Sequence, residues 1–496
     1  MVATAEGRGV FAKRPGGGRA VGASLSERPP KWCTVPLSEI RERGLRLEAA
    51  VYDVESRSAR KSIMNGAFGW KPLAGKGGFA NAYVRGRFKR IWVEFSGTPI
   101  YQPSAVPELD PEPDGFLSAK TPVDFDSLRV HLGQVLVTCS GTIGKAALVS
   151  QTLDGKVFSH DLLRITCHDP VDSGYVYAFL KSRAGQRLLA GNQYGAVITH
   201  IEPDHLASLP VPDAPVEIKR RIHERVSQSY EKRDESNNLL HQAASLLQDA
   251  LGLPPLRDFP EQAAPNATIP KTFAVPLSRL SGRLDGSYHL PVVDSIRARL
   301  IDTGDEVTTI GDTRVSKEII LPARFKRVYV EEGFGKIFIG GKQLGELDPS
   351  NKKYLSTVHH GARIAQQLTL RENMTLVTCS GTIGRTALVG RHWDGWTASQ
   401  HIMRIVPASI DIAGYLYVWL SSEWAKPLIV RNSYGAVIDE IDDVQLSAVP
   451  VPLLRDAATQ KEINQLSLTA SALRSEAYDL EQSALRDMEV NVLGTP

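Results

Sequence analysis

The sequence is a tandem duplication, and this feature constrains the fold more than any other. The nine residues "LVTCSGTIG" begin at Leu136 and begin again at Leu376, an interval of 240 residues (376 − 136) in a chain of 496. Other segments repeat at or near this interval: "VPLS" at Val35 and Val275, "GYVYAFL" at Gly174 and "GYLYVWL" at Gly414, "YGAVI" at Tyr194 and Tyr434, "LPVP" at Leu209 and "VPVP" at Val449, and "RFKRIWVE" at Arg87 and "RFKRVYVE" at Arg324. Shared anchors separated by divergent segments predict two domains that have one scaffold and different surfaces.

Each copy has the pattern of an α+β domain. The runs "KRIWVEF", "GQVLVTCS" and "LLRITC" are short and rich in β-branched and aromatic residues, which predicts strands. The run "GYVYAFLKSRAGQRLLAG" predicts a helix. The second copy repeats the plan with "GKIFIG", "MTLVTCS", "HIMRIVP" and "GYLYVWLSSEWAKPLIV".

Each copy then ends in a stretch that predicts a long helix. In the second copy, residues at alternating spacings of three and four form a coiled-coil seam: Ile463, Leu466, Ala470, Leu473, Ala477, Leu480 and Ala484. The first copy has a similar seam, interrupted by the polar Arg233 and Asn237: Ile222, Val226, Ser229, Leu240, Ala243, Leu247 and Leu251. A helix of about 35 residues is roughly 50 Å long. One narrow seam on each helix predicts that the two helices pair as an antiparallel coiled coil.

The predicted organisation has six parts. These are a disordered basic tail at 1–31, a first α+β domain at 32–215, a first long helix at 216–253, a proline-rich linker at 254–271, a second α+β domain at 272–455 and a second long helix at 456–494.

Composition excludes several classes of protein. No run of eighteen apolar residues occurs, and the first 31 residues lack the apolar core of a signal peptide, so we expect a cytoplasmic protein without a membrane partner. The four cysteines, Cys33, Cys139, Cys167 and Cys379, do not form a disulfide or zinc pattern. Cys139 and Cys379 are repeat equivalents, so we expect them to share one environment. The net charge of +3 means that nucleic-acid binding would depend on local basic patches.

The repeated glycine turn does not fit a phosphate-binding loop. A Walker loop needs glycine where Cys139 stands and a hydroxyl residue where Ala146 stands, and the second copy replaces the lysine by Arg385. The turn is therefore a tight connection between two strands, in which we expect Ser140 and Thr142 to bond the backbone, and contact with a ligand is an equally open role.

Other catalytic motifs are absent from the sequence. It contains no HExxH, no GxSxG and no GxGxxG after a strand, and His160 is replaced by Gln400 in the second copy. We therefore expect no catalytic residues, no metal and no cofactor in this chain.

The duplicated plan resembles the DNA-specificity (S) subunits of type I restriction-modification systems. The resemblance rests on "LVTCSGTIGKAALV" and "LVTCSGTIGRTALV", on "YGAVITHIEPDHLASLPVPDAPVEIKRRI" and "YGAVIDEIDDVQLSAVPVPLLRDAATQKEI", and on the long helix after each. It covers about residues 32–493. The chain departs from that family just before each helix, where "VEIKRR" and "TQKEI" replace a Glu-Gln pair.

The resemblance implies a non-catalytic subunit that binds double-stranded DNA. Each of two target-recognition domains would bind one half of a split, asymmetric target, and the paired helices would set the spacing. Half-sites about 34–36 Å apart present the same groove to one side of a protein. The family's S subunits bind two methyltransferase (modification) subunits, which use S-adenosylmethionine to methylate a flipped adenine, and a motor-nuclease (restriction) subunit can join them.

Basic residues in both copies are the candidate DNA contacts. Arginine suits guanine edges, and arginine and lysine both suit phosphates. In "RGRFKR", alternation places Arg85, Arg87 and Lys89 on one face and Phe88 on the other, if the segment is extended. The full set is Arg85, Arg87, Lys89, Arg90 and Lys145 in the first copy, and Arg324, Lys326, Arg327, Lys342, Lys352, Lys353 and Arg385 in the second. The shared anchors cannot distinguish two different half-sites, so any contact that they make is with the DNA backbone.

Three alternatives stay open at this level. The basic runs also fit solvated strand edges that prevent aggregation. The whole chain also fits a protein-interaction scaffold that is built on a coiled coil and does not bind DNA. An enzyme whose site is assembled from both copies is disfavoured by the missing motifs.

Overall fold

A computed structural model describes residues 3–4, 32–42, 45–47, 49–94, 96–194, 199–259, 272–280, 282–435 and 438–495. The chain divides into two compact units. The first comprises Met1–Val106, Glu112–Ser227 and Gln482–Pro496, and the second comprises Pro107–Pro111 and Gln228–Glu481. Most of the tail and of the linker predicted at 1–31 and 254–271 lies outside the described residues.

The first unit is an α+β structure. In chain order its strands are β1 (Ala3–Thr4), β2 (Trp32–Cys33), β3 (Trp70–Pro72), β4 (Ala80–Tyr83), β5 (Trp92–Val93), β6 (Thr98–Tyr101), β7 (Gly115–Leu117), β8 (Val135–Thr138), β9 (Ala146–Leu148), β10 (Val157–Phe158), β11 (Leu162–Cys167) and β12 (Pro210–Pro212). Its helices are α1 (Leu37–Glu42), α2 (Val54–Met64), α3 (Phe125–Leu128), α4 (Pro170–Lys181), α5 (Arg183–Gly191) and α6 (Pro203–Ala207), and α7 (Val216–Leu251) is the first long helix.

The second unit has the corresponding elements. Its strands are β13 (Glu306–Thr309), β14 (Ser316–Ile320), β15 (Tyr329–Val330), β16 (Gly335–Ile339), β17 (Lys353–Ser356), β18 (Thr375–Thr378), β19 (Thr386–Leu388), β20 (Thr397–Ala398), β21 (Ile402–Pro407) and β22 (Pro450–Leu453). Its helices are α8 (Pro291–Asp302), α9 (Thr357–Arg363), α10 (Ile410–Ser421), α11 (Ala425–Val430), α12 (Asp443–Ser447) and α13 (Ala457–Asp487), the second long helix.

The sheets of the two units have the same topology. An antiparallel sheet has the order β4-β11-β8-β9 in the first unit and β14-β21-β18-β19 in the second. A second sheet has the order β10-β6-β7-β5 and β20-β16-β17-β15, with one parallel pair, β10 with β6 or β20 with β16. The pairs β12-β3 and β22-β13 also correspond. Two α+β copies of one scaffold, predicted from the repeat, are confirmed.

A buried arginine connects the two four-stranded sheets in each unit. Arg164 on β11 is fully buried and donates to the carbonyl oxygens of Phe158 on β10 and of Leu128, at 3.3 and 3.1 Å. Arg404 on β21 donates to the equivalent carbonyls, those of Ala398 and Leu368. Burial lowers the pKa of Arg164 to about 10. Backbone carbonyls rather than carboxylates solvate each guanidinium, so the two sheets are held by charge-assisted hydrogen bonds.

One predicted helix of the first copy is in fact two. The sequence predicted a single helix over "GYVYAFLKSRAGQRLLAG", but α4 ends at Lys181 because Ser182 adopts extended backbone angles, with φ −63° and ψ 159°. The Ser182 hydroxyl accepts a hydrogen bond from the backbone N–H of Gly185 at 3.0 Å and so begins α5. A Cβ on Gly185 would lie 2.0 Å from the Phe179 carbonyl oxygen, so this close approach requires glycine.

The two long helices pair in an antiparallel manner in each unit. In the first unit, both guanidinium N–H groups of Arg221 bond the Asp487 carboxylate at 2.6 and 2.7 Å. In the second unit, the Ser229 hydroxyl donates to the carbonyl of Ala477 at 2.7 Å. Four residues of α13 spaced seven apart are completely buried: Ile463, Ala470, Ala477 and Ala484. The coiled coil predicted from the heptad pattern is therefore confirmed.

The polar interruption in the first seam is paired within the second unit. Arg233 forms an ion pair with the buried Glu481 at 3.0 Å. The side-chain oxygen of Asn237 accepts from Arg474 at 3.1 Å. Both polar residues that break the apolar pattern of α7 thus have partners on α13, which fixes the register of the pair.

Candidate nucleic-acid interface

The repeated glycine segment forms the same turn in both units. In the first unit, Gly141 and Gly144 have left-handed φ values of 70° and 88°, which favour glycine. The Thr138 hydroxyl donates to the carbonyl of Thr142 at 2.6 Å and accepts from the backbone N–H of Lys145 at 3.1 Å. The hydroxyl that bonds the turn thus comes from the preceding strand, and the expectation for the two hydroxyls inside the turn is wrong.

The second unit repeats this arrangement. Gly381 and Gly384 have φ values of 75° and 84°. The Thr378 hydroxyl donates to the carbonyl of Thr382 at 2.6 Å and accepts from the N–H of Arg385 at 2.9 Å. We call residues 140–145 and 380–385 the shared turns.

A second shared segment closes onto each turn. In the first unit, Tyr194 and His200 exchange both backbone hydrogen bonds, and His200 also forms a bridge pair with Ser140 of the shared turn. In the second unit, Tyr434 and Glu440 make the same exchange, and Glu440 bridges to Ser380. We call Tyr194–His200 and Tyr434–Glu440 the closing pairs. Residues 195–198 and 436–437 between them lie outside the described part of the chain.

The basic segment of the first unit, residues 85–90, is irregular rather than a strand. Arg87 and Lys89 are exposed, whereas Phe88 is half-buried, packs on the core and lies 6.1 Å from the ring of His160. Arg90 lies 6.0 Å from the ring of Trp92. The predicted alternation holds for Arg87, Phe88 and Lys89, whereas Arg85 is half-buried and not on the exposed face.

The basic segment of the second unit, residues 324–327, has the same alternation. Lys326 is exposed, and Arg324, whose side chain is 74% exposed, bonds Glu440 of the closing pair at 2.6 Å. Phe325 is half-buried. Arg327 donates to the side-chain oxygen of Gln400 at 2.8 Å. The basic segment, the closing pair and the shared turn thus form one surface in this unit.

The arginines of each basic segment act on a histidine beside the turn. Burial lowers the pKa of His160, and the nearby Arg90 and Arg87 lower it further against the opposing effect of Asp161. In the second unit, burial and Arg327 lower the pKa of His401. Both imidazoles are therefore neutral at pH 7, and the positive charge of each surface comes from arginine and lysine.

The two cysteines of the shared segment have the same buried environment, as predicted. Burial raises the pKa of both Cys139 and Cys379 to about 11. A thiol with such a pKa is a poor nucleophile at neutral pH. These residues are part of the packing beneath the turn and do not form a reactive site.

Three of the other predicted DNA-binding residues have partners that the sequence did not indicate. Arg85 lies 4.8 Å from the ring of Tyr83. Arg385 forms an ion pair with Glu108 at 2.8 Å. Lys352 pairs with Asp348 at 2.5 Å and lies 5.7 and 5.9 Å from the rings of Trp396 and Tyr478. These ion pairs reduce the charge that Arg385 and Lys352 can offer to a phosphate.

The remaining predicted DNA-binding residues are more accessible or lie at the turn. Lys342 is exposed on a helical turn, and Lys353 is exposed at the start of β17, 5.3 Å from the ring of Tyr329. Lys145 is half-buried and directly follows the shared turn of the first unit.

Sequence reasoning missed two exposed aromatic residues. Trp92 and Tyr329 occupy the same repeat position after each basic segment, and they are 50% and 40% exposed. The signal was present, because "RFKRIWVE" and "RFKRVYVE" place an aromatic residue at one position in both copies. An exposed aromatic beside arginine and lysine suits contact with sugars and bases.

No group of histidine, cysteine, aspartate or glutamate among the described residues could hold a metal ion. No helix in the described ranges is both long and apolar enough to cross a membrane.

No family model and no curated sequence matches the chain. Among solved structures, it is similar to the type I restriction-modification S subunit from M. genitalium, with 11% identity over 84% of this chain and 98% of that chain and a TM-score of 0.32. It is similar to the HsdS subunit from Thermoanaerobacter tengcongensis, with 16% identity over 88% of this chain and 100% of that chain and a TM-score of 0.26. A third similar structure, from work on the assembly and conformational transition of the type I R-M system, has 15% identity over 82% of this chain and 96% of that chain and a TM-score of 0.26. At such identities and TM-scores, these likenesses assign no role to any residue of this chain.

Proposed function

We propose that this protein is the non-catalytic DNA-specificity subunit of a type I restriction-modification complex, or of a related phage-defence complex. Each copy binds one half of a bipartite, asymmetric target in double-stranded DNA. The paired long helices set the spacing between the half-sites and bind two methyltransferase subunits, to which motor-nuclease subunits can be added. S-adenosylmethionine belongs to those partners, and the complex acts in the cytoplasm.

One observation supports this proposal above the others. A shared turn, a closing pair and a basic segment recur in both units, and in the second unit the Arg324–Glu440 ion pair joins them into one surface. Glu440 of the second unit bonds Arg324, whereas His200 occupies that position in the first unit. A repeated scaffold with different side chains suits recognition of two different half-sites on one DNA molecule, because phosphate contacts position a protein and differing side chains select bases.

Genome-wide mapping of methylated adenines, with and without the gene, tests the proposal. We expect deletion to remove methylation from one split, asymmetric motif, whose two halves are the half-sites. Cells that also express the cognate methyltransferase provide the matched background.

Binding to duplex DNA by the assembled complex is the second test. Because phosphate contacts release counterions, log affinity should fall linearly with log salt concentration. An unchanged methylation map, together with binding that salt does not affect, would instead favour a scaffold that binds only proteins.

A further inference from the structure

The two copies differ most clearly in the segment before the strand of the shared turn. In the first unit this segment contains α3, Phe125–Leu128, a single helical turn. In the second unit it contains α9, Thr357–Arg363, continued by a π-helical turn at Ile364–Leu368. The second unit therefore carries a helix of twelve residues, 357–368, where the first has only four. We call residues 357–368 the extended helix.

The extended helix is attached directly to the basic segment of its unit. The ring of Phe325 lies 5.1 Å from the ring of His360 and 5.0 Å from the guanidinium carbon of Arg363. His360 Nε2 accepts from the backbone N–H of Val328 at 3.1 Å, and Arg363 donates to the carbonyl of Ala323 at 3.1 Å. These interactions make the helix and the basic segment a single surface.

One face of this helix anchors it and the opposite face is open. Ile364 and Leu368 are buried with Phe338 and Leu355. The exposed residues are Thr357, Val358, His359, Gly361, Ala362, Ala365 and Gln366. Val358 is 89% exposed, and a Cβ built on Gly361 would have no atom within 4 Å.

The charge around this face fits DNA. The extended helix, "TVHHGARIAQQL", contains no carboxylate. Lys326 and Arg363 lie on or beside it, as does Arg324, whose charge is shared with Glu440. The exposed Glu331 and Glu332 belong to the turn between β15 and β16 and not to the helix. Small residues along the middle of the face permit close approach to base edges. A helix fits the major groove, where valine methyl groups can contact thymine and a glutamine amide can bond adenine.

We propose that the extended helix is the element with which the second copy reads base edges of its half-site, in the major groove of duplex DNA. This inference rests on the proposed function. Val358 and Gln366 contact bases, and the neighbouring basic segment binds the phosphates. The first copy has only the single turn of α3 at this place and reads its half-site by other means.

Selection from duplexes with both half-sites randomised, using the complete complex with its methyltransferase subunits, tests the inference. We expect Val358→Ser and Gln366→Ala each to relax the preference at one or two positions of one half-site by about tenfold, as is typical for the loss of a base contact. The other half-site should be unchanged. Gly361→Leu should abolish selection at the same half-site while retaining salt-dependent binding to unrelated DNA. Ile301→Ala, at a residue of α8 that is 70% exposed, is the matched surface control.

The outcomes separate this inference from the proposed function. If the parent complex selects a bipartite sequence and none of the three variants alters it, the extended helix does not read bases, although the proposed function stands. Uniform loss of affinity with unchanged base preferences would also overturn the inference, because it would limit the helix to binding the DNA backbone. If the parent complex selects no sequence, the proposed function itself fails.

Discussion

At the scale of single residues, the two copies differ at the charge beside their basic segments. Arg324 bonds Glu440 at 2.6 Å, so its charge is partly neutralised. In the first copy, the position of Glu440 is taken by His200, and Arg87 has no carboxylate supplied from that position. The first copy should therefore hold phosphates more strongly through this arginine.

Exchanging these charges tests the difference. We expect Glu440→Gln to strengthen DNA binding by the complex and His200→Glu to weaken it, with the slope of log affinity against log salt changing by about 0.9 for each phosphate that is newly bound or released. Glu440→Gln keeps an oxygen that can accept from the Ser380 hydroxyl, which lies 3.2 Å away. Glu462→Gln, at an exposed position of α13, is the control. Equal affinities and slopes for all three variants would show that the closing pairs lie away from the DNA.

The buried thiols give a prediction about pH. Burial raises the pKa of Cys139 from 9.0 to about 11, and Cys379 behaves in the same way. Because the thiolate is the reactive form, alkylation of these residues in the native protein should be slow at pH 7.5 and should keep rising about tenfold per pH unit until the pH approaches 11. Peptide-level mass spectrometry after timed alkylation measures both rates.

The same thiols in denaturant serve as the reference. In denaturant, the rate of alkylation should stop rising with pH near the ordinary pKa of a cysteine thiol. The pKa of the Cys139 thiol is higher in the folded protein than in the unfolded one. Burial of the neutral thiol therefore contributes fully to the free energy of unfolding below about pH 9, and this contribution is lost as the pH rises towards 11. A native rate that levels off below pH 9 would contradict the burial of these groups.

At the scale of secondary structure elements, a buried carboxylate fastens the long helices within the first unit. The side chain of Asp487 is 3% exposed, bonds Arg221 at 2.6 Å and Arg225 at 2.7 Å, and accepts from Asn491 at 2.6 Å. Hydrogen bonding from Arg221 lowers the pKa of Asp487. Its contribution to stability is therefore present above the ordinary carboxylate pKa of about 4 and is lost as the pH falls below it.

We expect Asp487→Asn to destabilise this helix pair by about 3 kcal/mol, because it leaves two arginines beside a buried neutral group. Hydrogen exchange of the amides in residues 216–227 should accelerate by roughly a hundredfold as a result. Asp479→Asn is the matched control, since Asp479 also pairs with an arginine at 2.6 Å but is 61% exposed. Similar exchange in the two variants would show that the buried carboxylate does not hold the helices.

Much at this scale was predictable from the sequence, for a physical reason. Heptad spacing reports burial directly, and Ile463, Ala470, Ala477 and Ala484 are completely buried. The repeat likewise predicted the number of domains and the position of the shared turn. The break at Ser182 was missed because a serine that caps a new helix looks, in a sequence, like a polar position on an existing one.

The candidate interface was less predictable. Basic runs identified Arg87 and Arg324, but the ion pair between Arg385 and Glu108 joins residues 277 positions apart and depends on tertiary structure alone. The extended helix was missed for a similar reason, because "TVHHGARIAQQL" contains a glycine and β-branched residues of modest helix propensity. Burial of Ile364 and Leu368 compensates for that weakness.

At the scale of the whole molecule, the paired long helices are the elements that would set the distance between the two half-sites in the proposed function. The division between the two units falls after Ser227 in α7 and after Glu481 in α13. An insertion at both points would preserve the pairing of the two long helices within each unit. Because Pro107–Pro111 of the second unit continues into the first unit at Val106 and Glu112, the same insertion would also strain the ion pair of Glu108 with Arg385. The proposed spacing role is therefore testable by insertion at these two points.

Insertion of one heptad of alanine-rich helix after Ser227 and another after Glu481 is the test. Seven residues add about 10.5 Å of helix, and a heptad preserves the register of the seam. We expect the methylated motif to keep both half-sites and to gain base pairs in the gap between them, up to about three at 3.4 Å per base pair. Insertion in α7 alone is the control, because it shifts the seam of one helix against the other and should abolish methylation. A doubly inserted protein that supports methylation with an unchanged gap would show that the helices do not set the distance between the half-sites.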